Sequence, residues 1–164
     1  MDFVINAFIT AFAVFIFNVI YWRVTERNRE FNVIGKSLVD TIKCVEACSI
    51  KYWSTKFDSV DDPEKVRLEI DIKSFPLLLQ KLIDEYMKKL PSNMDASDLV
   101  RVRSFADNLF DIATGGDFES MRTNEDFVRC AKISKMSKRV VAIIETTPFK
   151  PFDIQNMFIS LFDR

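Results

Sequence analysis

The sequence predicts an all-α protein in which one N-terminal transmembrane helix continues into a cytoplasmic bundle of about four or five helices. No charged side chain occurs from Phe3 to Trp22. Apolar residues recur at helical spacing through most of the remaining chain. Only three Gly and five Pro occur in 164 residues, which is unfavourable for a fold of many short strands. We therefore expect a transmembrane anchor over residues 1–22 and a helical domain over residues 23–164.

The uncharged N-terminal stretch has the length of a bilayer span. Twenty helical residues extend about 30 Å, the thickness of the hydrocarbon core. Asp2 and Arg23 bracket the stretch, and Tyr21 and Trp22 lie at one end, where aromatic rings favour the membrane interface. A cleaved signal peptide would begin with positive charge and end in small residues, and a helix buried in a soluble core would carry charges on one side. A span fits the stretch better than either alternative.

Basic residues near the span predict its orientation. Arg23, Arg27, Arg29 and Lys36 follow the span, and no Lys or Arg precedes it. Because an excess of Lys and Arg marks the cytoplasmic side, we expect a single-pass protein with its N-terminus outside and its helical domain in the cytoplasm.

One half of the predicted span is more polar than the other. Asn6, Thr10, Ala13 and Asn18 belong to this half when the helix is drawn at about 100° per residue. A helix–helix contact through these four residues is one interpretation, because lipid offers no partner for an amide and small residues let backbones approach. The alternative is that Asn6 and Asn18 lie near the two interfaces and meet water. The sequence leaves both interpretations open.

The charge balance and the cysteine content argue against nucleic-acid binding and against a zinc site. The chain has 23 Lys and Arg against 24 Asp and Glu, whereas nucleic-acid binding domains are usually basic, so no nucleic-acid partner is expected. Cys44, Cys48 and Cys130 lack the fourth ligand of a zinc site, since the chain has no His. We expect reduced cysteines that are small buried residues, and no metal or cofactor.

The first helix is expected to continue from the span to about Phe57, with a bend near Gly35, the one residue in between that disfavours a helix. Apolar residues recur along it in a heptad-like seam of Phe31, Ile34, Leu38, Val45, Cys48 and Tyr52, with Thr41 in the gap. This seam is either part of the domain core or a coiled-coil contact between copies.

A second helix is expected to begin at Asp62-Pro63-Glu64, where a carboxylate cap precedes Pro in the first turn. The following VRLEIDIK is ambiguous, because its apolar residues alternate from Val66 to Ile72 as in a strand. No nearby segment offers a pairing strand, so we prefer a helix that is bent near Pro76 and ends at Leu90.

Three more helices are expected. Asp95 or Ser97 caps one that ends at Gly115-Gly116, where Gly accepts the left-handed cap conformation. A capping box over residues 123–126 opens the next, and a short last helix covers residues 154–161. One face of the first of these carries Leu99, Val102, Ala106, Leu109 and Ala113. The residues expected to point inward from the second are Phe127, Cys130, Ile133, Val140 and Ile144.

The sequence lacks recognisable catalytic motifs. The absence of His excludes Ser-His-Asp, Cys-His and HExxH chemistry. Gly115-Gly116 lacks the spacing of a phosphate-binding loop, so a helix cap is the preferred interpretation. Asp107 and Asp111 share a helix face, which is more typical of a solvated surface than of a hydrolase site. A non-enzymatic protein is expected.

Four cations are expected to gather on one helix, on the side away from its apolar residues. Arg129, Lys132, Lys135 and Arg139 form this cluster. One interpretation is a site that binds anionic lipid headgroups or an acidic partner. The alternative is an ordinary solvated helix face. The terminal FISLFDR is apolar and is expected either to dock in the core or to bind a partner.

Three features of the chain resemble small membrane-anchored helical proteins encoded beside bacterial phage-defence and retron elements: the early span, the Arg-rich helix ending in Tyr52-Trp53, and Leu68-Glu69-Ile70 before a Leu-rich helix. The resemblance covers roughly the first half of the chain. It implies a toxin-like antiviral effector that oligomerises and perturbs the bacterial inner membrane. The alternative is a membrane-tethered adaptor that binds a cytoplasmic partner protein through its helical domain. Membrane lipid and either a second copy or a protein partner are therefore expected.

Overall fold

The computed structural model describes residues 2–90, 94–120 and 125–147. Within these ranges the chain contains no strand, which confirms the predicted all-α class. Its helices are α1 Asp2–Ser54, α2 Pro63–Lys89, α3 Ala96–Arg103, α4 Phe105–Thr114 and α5 Phe127–Thr146. The helix expected over residues 154–161 and the terminal FISLFDR lie outside the described residues. The described residues fall into two compact units, 2–33 and 34–147.

The unit of residues 2–33 is the N-terminal part of α1. No residue of its most apolar stretch is buried within the chain, and large side chains such as Phe8 and Trp22 are 73% and 65% exposed. Among the described residues, α1 is the one helix that is long and apolar enough to cross a membrane. The prediction of one N-terminal apolar helix followed by a helical domain is confirmed.

Within the unit of residues 34–147, α1 contributes the centre of the core. Leu38, Ile42 and Val45 are buried, as is Tyr52. Three residues of the heptad-like seam, Leu38, Val45 and Tyr52, therefore pack in the core of this unit and are not available for a coiled-coil contact. The helix continues through Gly35 without a break.

Helix α2 begins with the predicted cap. The Asp62 carboxylate accepts hydrogen bonds from the amides of Glu64 and Lys65 at 2.9 and 3.2 Å, and Pro63 is the first helical residue. These contacts satisfy two of the amide groups that a helix leaves unpaired at its N-terminus. Helix α2 then runs through Pro76 to Lys89, one residue short of the predicted end at Leu90.

The strand-like alternation in α2 has a helical explanation. Leu68 and Ile72 are buried in the core, whereas Val66 and Ile70 are exposed. At helical spacing these pairs lie on opposite sides of α2, so apolar residues on two sides of a helix imitate the two-residue period of a strand. The preference for a helix is confirmed.

The single helix expected between a cap at Asp95 or Ser97 and an end at Gly115-Gly116 is wrong, because Ser104 divides it into α3 and α4. The Val100 carbonyl accepts hydrogen bonds from both the hydroxyl and the backbone amide of Ser104, each at 3.0 Å. The division leaves Val102 at the end of α3 and Phe105 at the start of α4 buried together.

Helix α5 begins at the predicted place, although part of the capping box lies outside the described residues. The Asp126 carboxylate accepts from the Arg129 amide at 2.8 Å. Cys130, Ile133, Val140 and Ile144 are buried as expected. The expectation for Phe127 is wrong, since it is 64% exposed. Phe127 is the first residue of α5 and lies about 100° around the helix from the centre of the buried stripe.

Candidate functional site

The polar side of the apolar segment is exposed along its whole length. Asn6, Thr10, Ala13 and Asn18 are all exposed within the described chain. The Thr10 hydroxyl donates to the backbone carbonyl of Asn6 at 2.8 Å, so its proton is already used inside α1. The amides of Asn6 and Asn18 are therefore the stronger polar groups of this side, because each combines two donors with an acceptor.

Arg129 does not belong to the free basic cluster that the sequence predicts. Its Nε donates to the Asp126 carboxylate at 3.2 Å, and its Nη1 donates to the Gly115 carbonyl. Its guanidinium carbon lies 3.9 Å from the centre of the Trp53 ring, which is a cation–π contact. These three partners make Arg129 a structural residue that joins the start of α5, the end of α4 and the end of α1.

The C-terminus of α4 ends in glycine as predicted. Gly115 is the cap, and Gly116 adopts a left-handed conformation with φ of 68°. A Cβ at residue 116 would lie 2.8 Å from the Arg129 guanidinium. Glycine is therefore favoured at residue 116 by its backbone conformation, and a larger residue would also displace the end of the Arg129 side chain.

A polar network fastens residues 118–120 to α1 and α2. The Tyr52 hydroxyl donates to the Glu69 carboxylate at 2.9 Å and accepts from the Glu119 amide at 3.1 Å. Lys65 is fully buried, donates to the Ser120 carbonyl and lies 3.8 Å from Glu69. Burial raises the pKa of the Tyr52 phenol, which keeps the hydroxyl protonated as a donor. The network joins residues 119 and 120 to α1 and α2, and within it Tyr52 and Lys65 are buried.

The remaining cations of the predicted cluster line a groove on the domain surface, here called the basic groove. Lys132, Lys135 and Arg139 come from α5, and Arg101 comes from α3. The groove has a volume of about 300 Å³. Its other lining residues are Ser104, Phe105, Asn108, Met136 and Val140.

Positive charge in the basic groove is largely unbalanced. Arg101 donates to Asp98 at 2.8 Å, whereas Lys132, Lys135 and Arg139 are exposed and make no ion pair within the part of the chain that the structure describes. No Asp or Glu is among the lining residues. Cations three and four residues apart on a helix repel each other by a few tenths of a kcal/mol. The groove is therefore suited to an anionic ligand.

The cluster predicted from the sequence does not include Arg101, although the structure places Arg101 in the groove. It lies on a different helix from the other cations, and only the packing of α3 against α5 brings it beside them. The local pattern around Arg101 contains a partner, Asp98, at the spacing of an ordinary surface ion pair. No sequence signal near Arg101 indicates the groove.

The two carboxylates considered for catalysis lie on the surface of one helix. Asp107 and Asp111 are both exposed on α4. Over residues 2–90, 94–120 and 125–147, no group of three or more Cys, Asp or Glu side chains is placed to hold a metal ion. Cys130 is buried, but Cys44 is exposed, which corrects the expectation of three buried cysteines. Cys44 is exposed because its neighbours Ile42 and Val45 occupy the inward positions of α1.

No family model matches the chain, and neither a curated protein nor a solved structure matches it. The resemblance to membrane-anchored proteins of phage-defence systems stays a prediction from the sequence. The class that the fold itself defines is a helical domain with one long apolar helix at its N-terminus.

Proposed function

We propose that the protein is a non-enzymatic, single-pass membrane effector that self-associates through the polar side of its span and thereby perturbs the membrane. In this proposal the N-terminus lies outside, the helical domain lies in the cytoplasm, and the membrane is a bacterial inner membrane. The observation that carries the proposal is the apolar segment of α1, which has no buried residue and on which Asn6 and Asn18 present amides that no other described part of the chain covers.

The physical reason lies in the cost of isolated amides in hydrocarbon. An amide without a hydrogen-bond partner is unfavourable there by several kcal/mol, whereas a neighbouring helix supplies a partner worth about 1 kcal/mol per bond. Copies of one chain insert in the same orientation, so equivalent residues of associated helices lie at the same depth. Asn18 of one copy therefore meets Asn18 of another, and a ring of amides offers water and ions a polar path.

Membrane potential in expressing cells tests the proposal. Expression of the full chain should collapse the potential, and Asn6→Leu combined with Asn18→Leu should prevent the collapse at equal protein level. The matched control is Phe12→Leu with Val19→Leu, on the opposite half of α1, which should leave the collapse unchanged. An intact potential at high expression of the unaltered chain would overturn the proposal.

The tethered adaptor predicts a different pattern of results. An adaptor needs the span as an anchor but not its polar side, so neither double substitution should alter its activity. A pull-down would then recover one stoichiometric protein partner, and deletion of residues 1–22 would leave that binding intact. These results, together with an intact potential, would replace the effector proposal by the adaptor.

A further inference from the structure

We infer that the basic groove is a binding site for a phosphoryl group, carried either by a small soluble ester or by the headgroup of an anionic lipid. The inference goes beyond the effector proposal and needs neither self-association nor a protein partner. It rests on the charge, the size and the donor groups of the groove.

Charge is the first argument. Four cations line the groove, and one carboxylate, that of Asp98, offsets one of them from outside the lining. This surplus of three positive charges stands in a chain whose net charge is −1. A phosphate monoester carries about −1.5 to −2 at neutral pH, so one such group relieves most of the repulsion among Lys132, Lys135 and Arg139. A single carboxylate would relieve less than half of it.

Size is the second argument. A volume of about 300 Å³ lies at the lower end of the range for small-molecule sites. It admits a phosphate with a short organic group, but it does not enclose a helix or a nucleic-acid duplex. An acidic protein segment has to bring several carboxylates into this volume to match the charge of the groove, whereas one phosphate monoester supplies most of that charge alone.

The donor groups are the third argument. Arg139 has a planar fork that suits bidentate contact with phosphate oxygens, and Lys132 and Lys135 add point charges. The Asn108 amide donates one proton to the Ser104 hydroxyl at 3.0 Å, which leaves its second N–H for a ligand. Beneath these groups, Phe105, Met136 and Val140 supply apolar surface for the organic part of an ester.

Calorimetry on the full chain tests the inference. The chain is placed in nanodiscs of phosphatidylcholine and titrated with glycerol 3-phosphate, the headgroup chemistry of phosphatidic acid. In a second arm, nanodiscs that contain phosphatidic acid replace the neutral ones, and thermal unfolding of the domain is followed by Trp53 fluorescence in a Trp22→Phe background. Binding of the soluble ester identifies a free ligand as a source, and stabilisation by phosphatidic acid alone identifies a lipid.

Charge reversal in the groove supplies the specific variant. Lys132→Glu with Arg139→Glu should weaken binding at least tenfold, since each removes a hydrogen bond to a charged group. The matched control is Lys138→Glu, an exposed lysine of the same helix that does not line the groove, and it should change affinity by less than about twofold. If the double reversal lowers the melting temperature of the unliganded chain, Lys132→Gln with Arg139→Gln replaces it.

Three results would overturn the inference. The first is failure of both glycerol 3-phosphate and phosphatidic acid to bind or stabilise the chain. The second is equal loss of binding in the groove variant and in Lys138→Glu. The third is tighter binding of polyglutamate than of glycerol 3-phosphate, which would assign the groove to an acidic protein segment. None of these results bears on membrane potential, so the effector proposal stands or fails separately.

Discussion

Replacement of Lys65 by methionine should destabilise the domain far more than the same replacement at Lys73. Both lysines lie on α2 and both pair with a glutamate, but the Lys65 side chain is fully buried, whereas that of Lys73 is 49% exposed. Methionine has nearly the same length, so most of the packing is kept in both variants. The comparison therefore measures the effect of burial on a paired lysine, including the hydrogen bond that Lys65 donates to the Ser120 carbonyl.

The size of the loss in free energy of unfolding depends on the contacts that Glu69 keeps after Lys65 is replaced. Removal of one partner from a buried ion pair costs about 3–5 kcal/mol, because the other charge stays buried without compensation. Glu69 is 12% exposed and keeps the hydrogen bond from Tyr52 at 2.9 Å, so we expect the lower end, about 3 kcal/mol. For Lys73 and its exposed partner Glu119 we expect less than about 1 kcal/mol.

Urea unfolding of the full chain in mild detergent measures both values. The chain has two Trp, so a Trp22→Phe background leaves the buried Trp53 as the one fluorescent reporter of the domain. Adding Glu69→Gln to Lys65→Met should recover part of the loss, because it removes the unpaired charge and keeps an acceptor for Tyr52. Equal free energies of unfolding for Lys65→Met and Lys73→Met would refute the reasoning.

Three further predictions concern backbone, pH and thiols. Gly35→Ala should raise the free energy of unfolding by about 0.5–1 kcal/mol, since the new Cβ would make ordinary contacts at 3.6 and 3.7 Å, whereas Gly116→Ala should lower it by about 1 kcal/mol or more. Denaturant midpoints compare the two variants, and a lower midpoint for Gly35→Ala or a higher midpoint for Gly116→Ala would contradict these expectations. Because folding raises the pKa of Tyr52, its contribution to the free energy of unfolding should be fully present below the unfolded-state pKa of about 10 and should be lost as the pH rises above that value. Tyr52→Phe should reduce this loss of stability at alkaline pH. A denaturant midpoint with the same pH dependence in the variant and the unaltered chain would contradict the prediction. Maleimide should label Cys44 in the folded chain and Cys130 only after unfolding, as measured by mass spectrometry of the labelled peptides. Labelling of Cys130 before Cys44 would contradict this prediction.

Local chemistry explains which parts of the fold were predictable. The starts of α2 and α5 depend on Asp62 and Asp126, whose carboxylates bond amides two or three residues ahead, so the sequence window contains both partners. The end of α4 likewise depends on Gly116. The break at Ser104 was missed, because the residue type gives no local signal: Thr10 and Thr41 make the same hydroxyl bond to the preceding turn inside α1 without ending that helix.

Tertiary packing explains which parts of the candidate site were missed. The row of Lys132, Lys135 and Arg139 follows from helical spacing alone. Arg129 has the same spacing, but Trp53 and the Gly115 carbonyl draw it into the structure, and both lie far from it in the sequence. The entry of Arg101 into the groove depends in the same way on the contact between α3 and α5.

The most direct test of the account is whether the N-terminal part of α1 resides in a bilayer. Membranes from expressing cells are extracted at alkaline pH without detergent, and the full chain is compared with a variant that lacks residues 1–22. The account predicts that the full chain stays in the membrane pellet and that the shortened chain is released. A full chain that is released and behaves as a soluble monomer without detergent would contradict it.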